Sequence, residues 1–433
     1  MTAPVASARL IEIMRDSRAR TLELVADLEH EQLFGPCLDI VNPLLWEIGH
    51  LAWFHEYFIL RRVDRRDSLL PNADKLYNSA TVPHDDRWHL PLPSLAGTLE
   101  YMSGVQDALA RRLQQPIANE EDSFLYQLTT FHEDMHDEAF TYTRQTLKYQ
   151  KPRFAAEQVP ADATAGPLPG DVDIPGGSFM LGSFPTAPFA FDNEKWAHAV
   201  DVRPFRMARA AVTNAEFAAF IDDRGYQNQK FWDDEGWRWR ESVKAEHPLY
   251  WIRQDGKWRA RHFAKIEPLA PYQPVIHVNW HEANAWCRWA NRRLPTEVEW
   301  EVAASAEPTA NGGLSSHKRA YPWGDEAPTQ RHANLDGSVV GTIDVGACAA
   351  GDSSWGCRQM IGNVWEWTSS TFTPFPGFSA DAYEEYSEPW FGTRKVLRGG
   401  AWATRGRMIN SNYRNFFTPD RRDVFAGFRT VAL

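Results

Sequence analysis

Phe131-His132-Glu133-Asp134-Met135-His136-Asp137-Glu138 is the stretch on which the reading turns. It lies in a run from Glu120 to Leu147 that contains no proline or glycine, which predicts one long helix. Residues four apart share a helix face, so His132 and His136 can aim both imidazoles at one point. Two neutral imidazoles at that spacing suit a first-row divalent metal. Glu138 falls roughly 160° around the helix from His136. That position supports another helix or backs the ligands, and does not ligate. The competing reading is a polar helix face with two unrelated histidines, and only the surrounding sequence decides between them.

Working outward, the first 150 residues read as four helices. The first runs from about Ser7 to Leu28, with Ile11, Met14, Leu22, Val25 and Leu28 on one face. Gly35-Pro36 breaks the chain, and Asn42-Pro43 reads as an N-cap followed by proline at the first helical position. The second helix continues to about Leu60 with an inner stripe of Trp46, His50, Trp53 and Tyr57. Alone, His50 reads as a hydrogen-bonded core histidine. Beside His132 and His136 it becomes a third ligand candidate. A polar loop from Asp64 to Pro93 holds Tyr77-Asn78-Ser79 and Asp86-Arg87-Trp88-His89, and its length suggests a functional excursion with His89 as a spare ligand. Ser94 caps a third helix carrying Leu99, Met102, Leu109 and Leu113, and the fourth bears the opening motif. A metal site between facing helices is a common bundle arrangement.

Composition sets the limits. At 433 residues the chain holds two or three domains, and 46 Lys+Arg against 57 Asp+Glu leaves a net charge of −11. That balance argues against nucleic acid or an anionic membrane as partner. The start lacks the pattern of a signal peptide, no run approaches a membrane span, and four scattered cysteines form no C-x-x-C pair, so a reducing cytoplasm is expected. Residues 151–173, rich in proline, alanine and glycine, read as a linker. From Ile174 to the end the sequence is dense in glycine and tryptophan, with helical patterns only at Thr213–Asp222 and His281–Asn291.

That second half carries Ile174-Pro175-Gly176-Gly177, Leu294-Pro295-Thr296-Glu297-Val298-Glu299-Trp300, Gly362-Asn363-Val364-Trp365-Glu366-Trp367, Leu397-Arg398-Gly399-Gly400-Ala401-Trp402 and Ala426-Gly427-Phe428-Arg429. The series resembles the formylglycine-generating-enzyme or sulfatase-modifying-factor fold, related to C-type lectins. Residues 1–150 resemble a DinB-like four-helix bundle, with His50 and His132-x-x-x-His136-x-Glu138 matching its metal motif. Joined in this order, with residues 174–433 as the second domain, they resemble the EgtB family of nonheme iron sulfoxide synthases, which includes the selenoneine synthase SenA. The expected class is α+β multidomain.

The resemblance implies an iron(II) cofactor held by His50, His132 and His136, with dioxygen, hercynine and a thiol or selenol donor as small-molecule partners. The new bond forms at C2 of the hercynine imidazole, on the way to ergothioneine or selenoneine. Tyr383 matches the family's catalytic tyrosine, a general acid, with Tyr386 as the fallback. Asn415 would hydrogen-bond hercynine, and Phe416, in place of a family tryptophan, would stand near its trimethylammonium or carboxylate group. Arg87 matches an arginine used for the donor, and Arg421 and Arg422 stand as carboxylate clamps. Two further positions depart from the family. Phe417 replaces the aspartate with which γ-glutamylcysteine users hold the donor's amino group, and Met135 stands where some members place glutamine. The expected donor is therefore cysteine or a thio- or selenosugar, with γ-glutamylcysteine as the alternative. A formylglycine-generating oxidase needs a thiol pair near the carboxyl end, and no cysteine follows Cys357. A non-catalytic lectin-like module would bind no iron.

Overall fold

The computed structural model describes residues 4–115, 117, 119–155 and 157–433. Its amino-terminal part is a bundle of four main helices, Ser7–Val25, Leu44–His55, Leu95–Arg112 and Glu120–Thr146. Ser94 caps the third by accepting from Gly97 N–H, as its sequence predicts, and Asn119 caps the long fourth helix through Asp122 N–H. The second helix does not stop at His55 but widens its hydrogen-bonding pattern into a π-helical stretch, Glu56–Arg61. Glu56 is buried there, accepting from Tyr101, Ser68 and the Leu69 N–H.

Two expectations for the bundle need correction. The first helix ends at Val25, and Leu22 is 40% exposed. Its inner face instead carries Leu10, Ile13, Ser17, Arg18, Thr21 and Leu24, because the long helix opposite presents acids that need partners. Asn42 does not cap the second helix. Its side chain is spent donating to Glu47 and accepting from Arg87.

The second domain is assembled from small sheets. One has the strand order 171–174, 205–208, 431–432, 292–293, so the carboxyl terminus is sewn into its middle, and the Asp171–Ile174 strand begins inside the stretch that reads as linker. Another runs Asn415–Phe417, Lys395–Arg398, Trp365–Thr371, Ala426–Gly427, antiparallel except for the last pair. Trp300, Trp365, Trp367 and Trp402 are almost wholly buried, and each of the first three indole N–H groups finds an acceptor. Buried arginines are matched as well: Arg398 to Glu297 and Glu301, Arg414 to Glu297, Arg429 to Glu366. Gly399, at φ +95°, brings its backbone so close to Met360 that a Cβ would lie 2.4 Å from the carbonyl oxygen. Helices Asn214–Asp222 and Trp280–Trp289 occur near their expected positions, and Asp234–Val243 and Glu297–Ser305 are additions.

The apolar core runs without a break from the bundle into the second domain. Polar contacts reinforce the seam. Arg407 forks onto Asp134 with two bonds of 2.7 Å, and Asp16 binds both Arg405 and Arg407. Glu138 accepts from Trp365 Nε1 at 2.6 Å and Thr404 Oγ1 at 2.5 Å. The partner that Glu138 supports is thus the other domain, not another helix. Among the described residues no helix is long and apolar enough to cross a membrane.

Candidate metal centre

His132 and His136, four residues apart on the long helix, face His50 on the second helix. The candidate ligand atoms of the three all lie within 4.8 Å of one another. Each ring is held differently. His50 places Nδ1 2.8 Å from the Tyr77 carbonyl oxygen and lies against the Trp46 ring (4.9 Å, 9°), which leaves Nε2 for ligation. His132 stacks on Phe54 at 3.6 Å and 4°. His136 turns Nδ1 towards Glu47 Oε1, 3.4 Å away.

Gly49 makes the Tyr77 contact possible. A Cβ at residue 49 would fall 2.2 Å from the Tyr77 ring, so only glycine lets the excursion loop settle on this helix.

Burial pushes the His50 and His132 pKa values well below the ordinary histidine range, and neighbouring histidines push the same way. Those two imidazoles are therefore neutral, the form that binds metal. The buried Nδ1 atoms of His132 and His136 have no hydrogen-bond partner. Three clustered imidazoles, with ring nitrogens left unsatisfied in a buried place, fit a divalent transition metal.

Beside the trio lies a cavity of about 800 Å³ between the domains, lined by Glu47, Arg87, Met135, His136, Tyr383, Tyr386, Asn415, Phe416 and Phe417 among others. Tyr383 lies edge-on to His132 with ring centres 5.8 Å apart and packs against Phe54. Its loop is tied down by Lys195 on Asp381 and by Arg62 on the Ala382 carbonyl. Burial, followed by Glu385, raises the Tyr383 phenol far above its usual range, so it keeps its proton. The Tyr386 hydroxyl lies 3.4 Å from that of Tyr413. Asn415 uses its Oδ1 to accept from Phe416 N–H, which leaves its amide N–H groups for another partner. Phe416 stacks on Phe372 at 4.0 Å. Arg87 lies over Trp46, 4.1 Å from the ring centre, and its buried Nε has no partner.

Three expected positions stand apart from this cluster. Arg421 is closed onto Asp423 by bonds of 2.6 and 2.7 Å, and Arg422 binds Glu282 and lies over Trp239, so neither offers a free carboxylate clamp in the cavity. His89 is exposed and outside the trio. Reading the sequence also missed Glu47. Its signal was available: a lone acid within an apolar helical run, three residues before His50. Cys287, Cys348 and Cys357 are buried free thiols, and burial raises Cys348 to about 12 and Cys357 to about 11. They form no thiolate pair for copper.

Residues 13–140 match the DinB superfamily and residues 156–432 match the sulfatase-modifying factor enzyme 1-like domain. With three clustered histidines beside the cavity between them, these folds define the class, a two-domain protein with a candidate metal centre. The hercynine oxygenase of Mycolicibacterium thermoresistibile is 39% identical over 98% of this chain and 94% of its own length. That of Mycobacterium tuberculosis is 38% identical over 95% and 96%. The formylglycine-generating enzyme of Streptomyces coelicolor is 33% identical over 64% of this chain and 93% of its own. The chain belongs to the EgtB-type hercynine oxygenase family, and it is an oxidoreductase.

Proposed function

We propose that this chain joins sulfur or selenium to C2 of the hercynine imidazole, using dioxygen and iron(II) held by His50, His132 and His136, with cysteine or a thio- or selenosugar as donor. The observation that carries the reading is the meeting of three imidazoles and a protonated phenol, Tyr383, at one cavity between the domains. Near-full-length likeness to proteins named hercynine oxygenase supports the substrate.

Bound ferrous iron would supply one-electron chemistry with dioxygen from its open coordination positions. The protein's residues do the rest. Aromatic walls from Tyr386 and Phe416 suit a quaternary ammonium. The free amide of Asn415 donates to the substrate, and Arg87 offers its guanidinium to a donor carboxylate. Tyr383 holds a proton at its hydroxyl, beside the ring of His132, for delivery to oxygen as it is reduced. The donor preference rests on Phe417, an apolar ring in the cavity wall that cannot itself receive an ammonium, while Arg421 is occupied by Asp423.

Iron-loaded protein incubated with hercynine, dioxygen and each donor separately, with products weighed by mass spectrometry, tests the reading. Adducts with cysteine or a thio- or selenosugar are expected. Turnover with γ-glutamylcysteine alone overturns the donor assignment, and no adduct with any donor overturns the reaction. His132→Ala should hold no stoichiometric iron, and equal iron in variant and wild type would remove the metal centre from the account.

A further inference from the structure

Two of the three histidines can be given an acceptor behind the ring, and the two acceptors differ in kind. Behind His50 stands a backbone carbonyl, that of Tyr77. Behind His136 stands a side chain, Glu47, which itself lies in a row of contacts. Its Oε1 accepts from Asn42 Nδ2 at 3.0 Å, and Asn42 Oδ1 accepts from Arg87 Nη1 at 2.7 Å. Arg87 is in turn fixed by the Trp46 ring and the Val82 carbonyl. Glu47 is 2% exposed, and its Oε2 has no partner although it borders the cavity. A buried carboxyl oxygen left unsatisfied, with an unpartnered ring nitrogen 3.4 Å from its twin, is an expensive arrangement unless the two groups have a joint task.

Resting on the metal reading above, we propose that Glu47 is the positioning residue of His136 and that Asn42 and Arg87 hold Glu47 in place for it. Accepting Nδ1–H fixes the tautomer that presents Nε2 to a metal, sets the ring plane and makes the ring a stronger donor. Glu47 stands outside the candidate ligand group. Its effect passes through His136, and the row Arg87–Asn42–Glu47 makes the outer wall of the cavity part of the scaffold for the inner one.

The test is a Co(II) titration, followed by visible d–d absorption, on wild type, Glu47→Gln, Asn42→Ala, Arg87→Met, His136→Ala and Glu56→Gln. The last is a buried glutamate of the same helical run with no partner in the trio. Glu47→Gln is expected to weaken Co(II) binding by about 10- to 100-fold and to shift the d–d bands. Asn42→Ala should do so less, and Arg87→Met less again. Glu56→Gln should lower the melting temperature and leave the spectrum alone. A Glu47→Gln protein with wild-type affinity and bands overturns the inference, as does a Glu56→Gln protein with the same spectral shift. An effect at Glu47 with none at Asn42 removes the outer part of the row. If His136→Ala itself binds Co(II) like wild type, the metal reading fails instead.

Discussion

The long helix Glu120–Thr146 has two sides that behave oppositely. Towards the seam, its acids are spoken for. Glu133 receives Arg18, His55 and Thr21, Asp134 receives Ser17 and the Arg407 fork, and Glu138 receives Trp365 and Thr404. Burial alone would raise Glu133, but Arg18 and His55 outweigh it and hold that carboxyl well below its usual range. Asp137 is the exception, with one oxygen unpartnered and a pKa driven well up by burial and by Glu133 and Asp134. Towards the cavity, buried nitrogens of His132, His136 and Arg87 and an oxygen of Glu47 stand without partners. Saturated groups tie the helix to the rest of the bundle and to the second domain, and unsaturated groups are available to ligands.

Substitutions on the two sides should therefore separate chemistry from stability. Tyr383→Phe is the largest expected effect on the cavity side: turnover falls by about 100- to 10,000-fold, while iron content and melting temperature hold. A melting temperature that falls with turnover would blur the contrast. Arg407→Ala, at the seam, leaves Asp134 buried without its fork. It should lower the free energy of unfolding by about 3 kcal/mol in urea titrations, the low end for such a pair because Arg405 lies 3.8 Å from the same carboxylate. Turnover should change far less than for Tyr383→Phe. Glu194, buried in the second domain, gives the smallest effect. Burial raises its pKa to about 7, above the usual glutamate value of about 4.5, against the pull of Arg398 and Ser183. The unfolded glutamate loses its proton at lower pH than the folded one, so stability contributed by this group falls as pH rises from about 4.5 to about 7. Glu194→Gln should flatten the change in urea midpoint between pH 5 and pH 7, a difference on the order of 1–3 kcal/mol.

Helices were legible where period and punctuation agreed. The long helix and the Ser94 cap follow directly from residue spacing. Leu22 misled because apolar character alone does not reveal that an opposing helix is lined with acids. Glu297–Ser305 had its Thr296/Glu299 capping box in plain view, hidden among glycine and tryptophan signatures. The Glu56–Arg61 turn has no sequence period of its own, since it arises from how the helix end packs on Tyr101 and the following loop. In the site, the histidine spacing was readable, whereas the fate of Arg421 and Arg422 depended on neighbours that only the fold supplies.

Gly49 carries an implication for anyone wishing to retune this protein. Because the ring of Tyr77 occupies the space where any other residue would begin its side chain, libraries that vary the 64–93 segment have a hidden anchor point far from it in sequence. Even alanine at residue 49 should push that segment outward, withdraw the carbonyl on which His50 leans and let that imidazole flip. Loop diversity can be explored freely only while one hydrogen atom, on one helix, is left where it is.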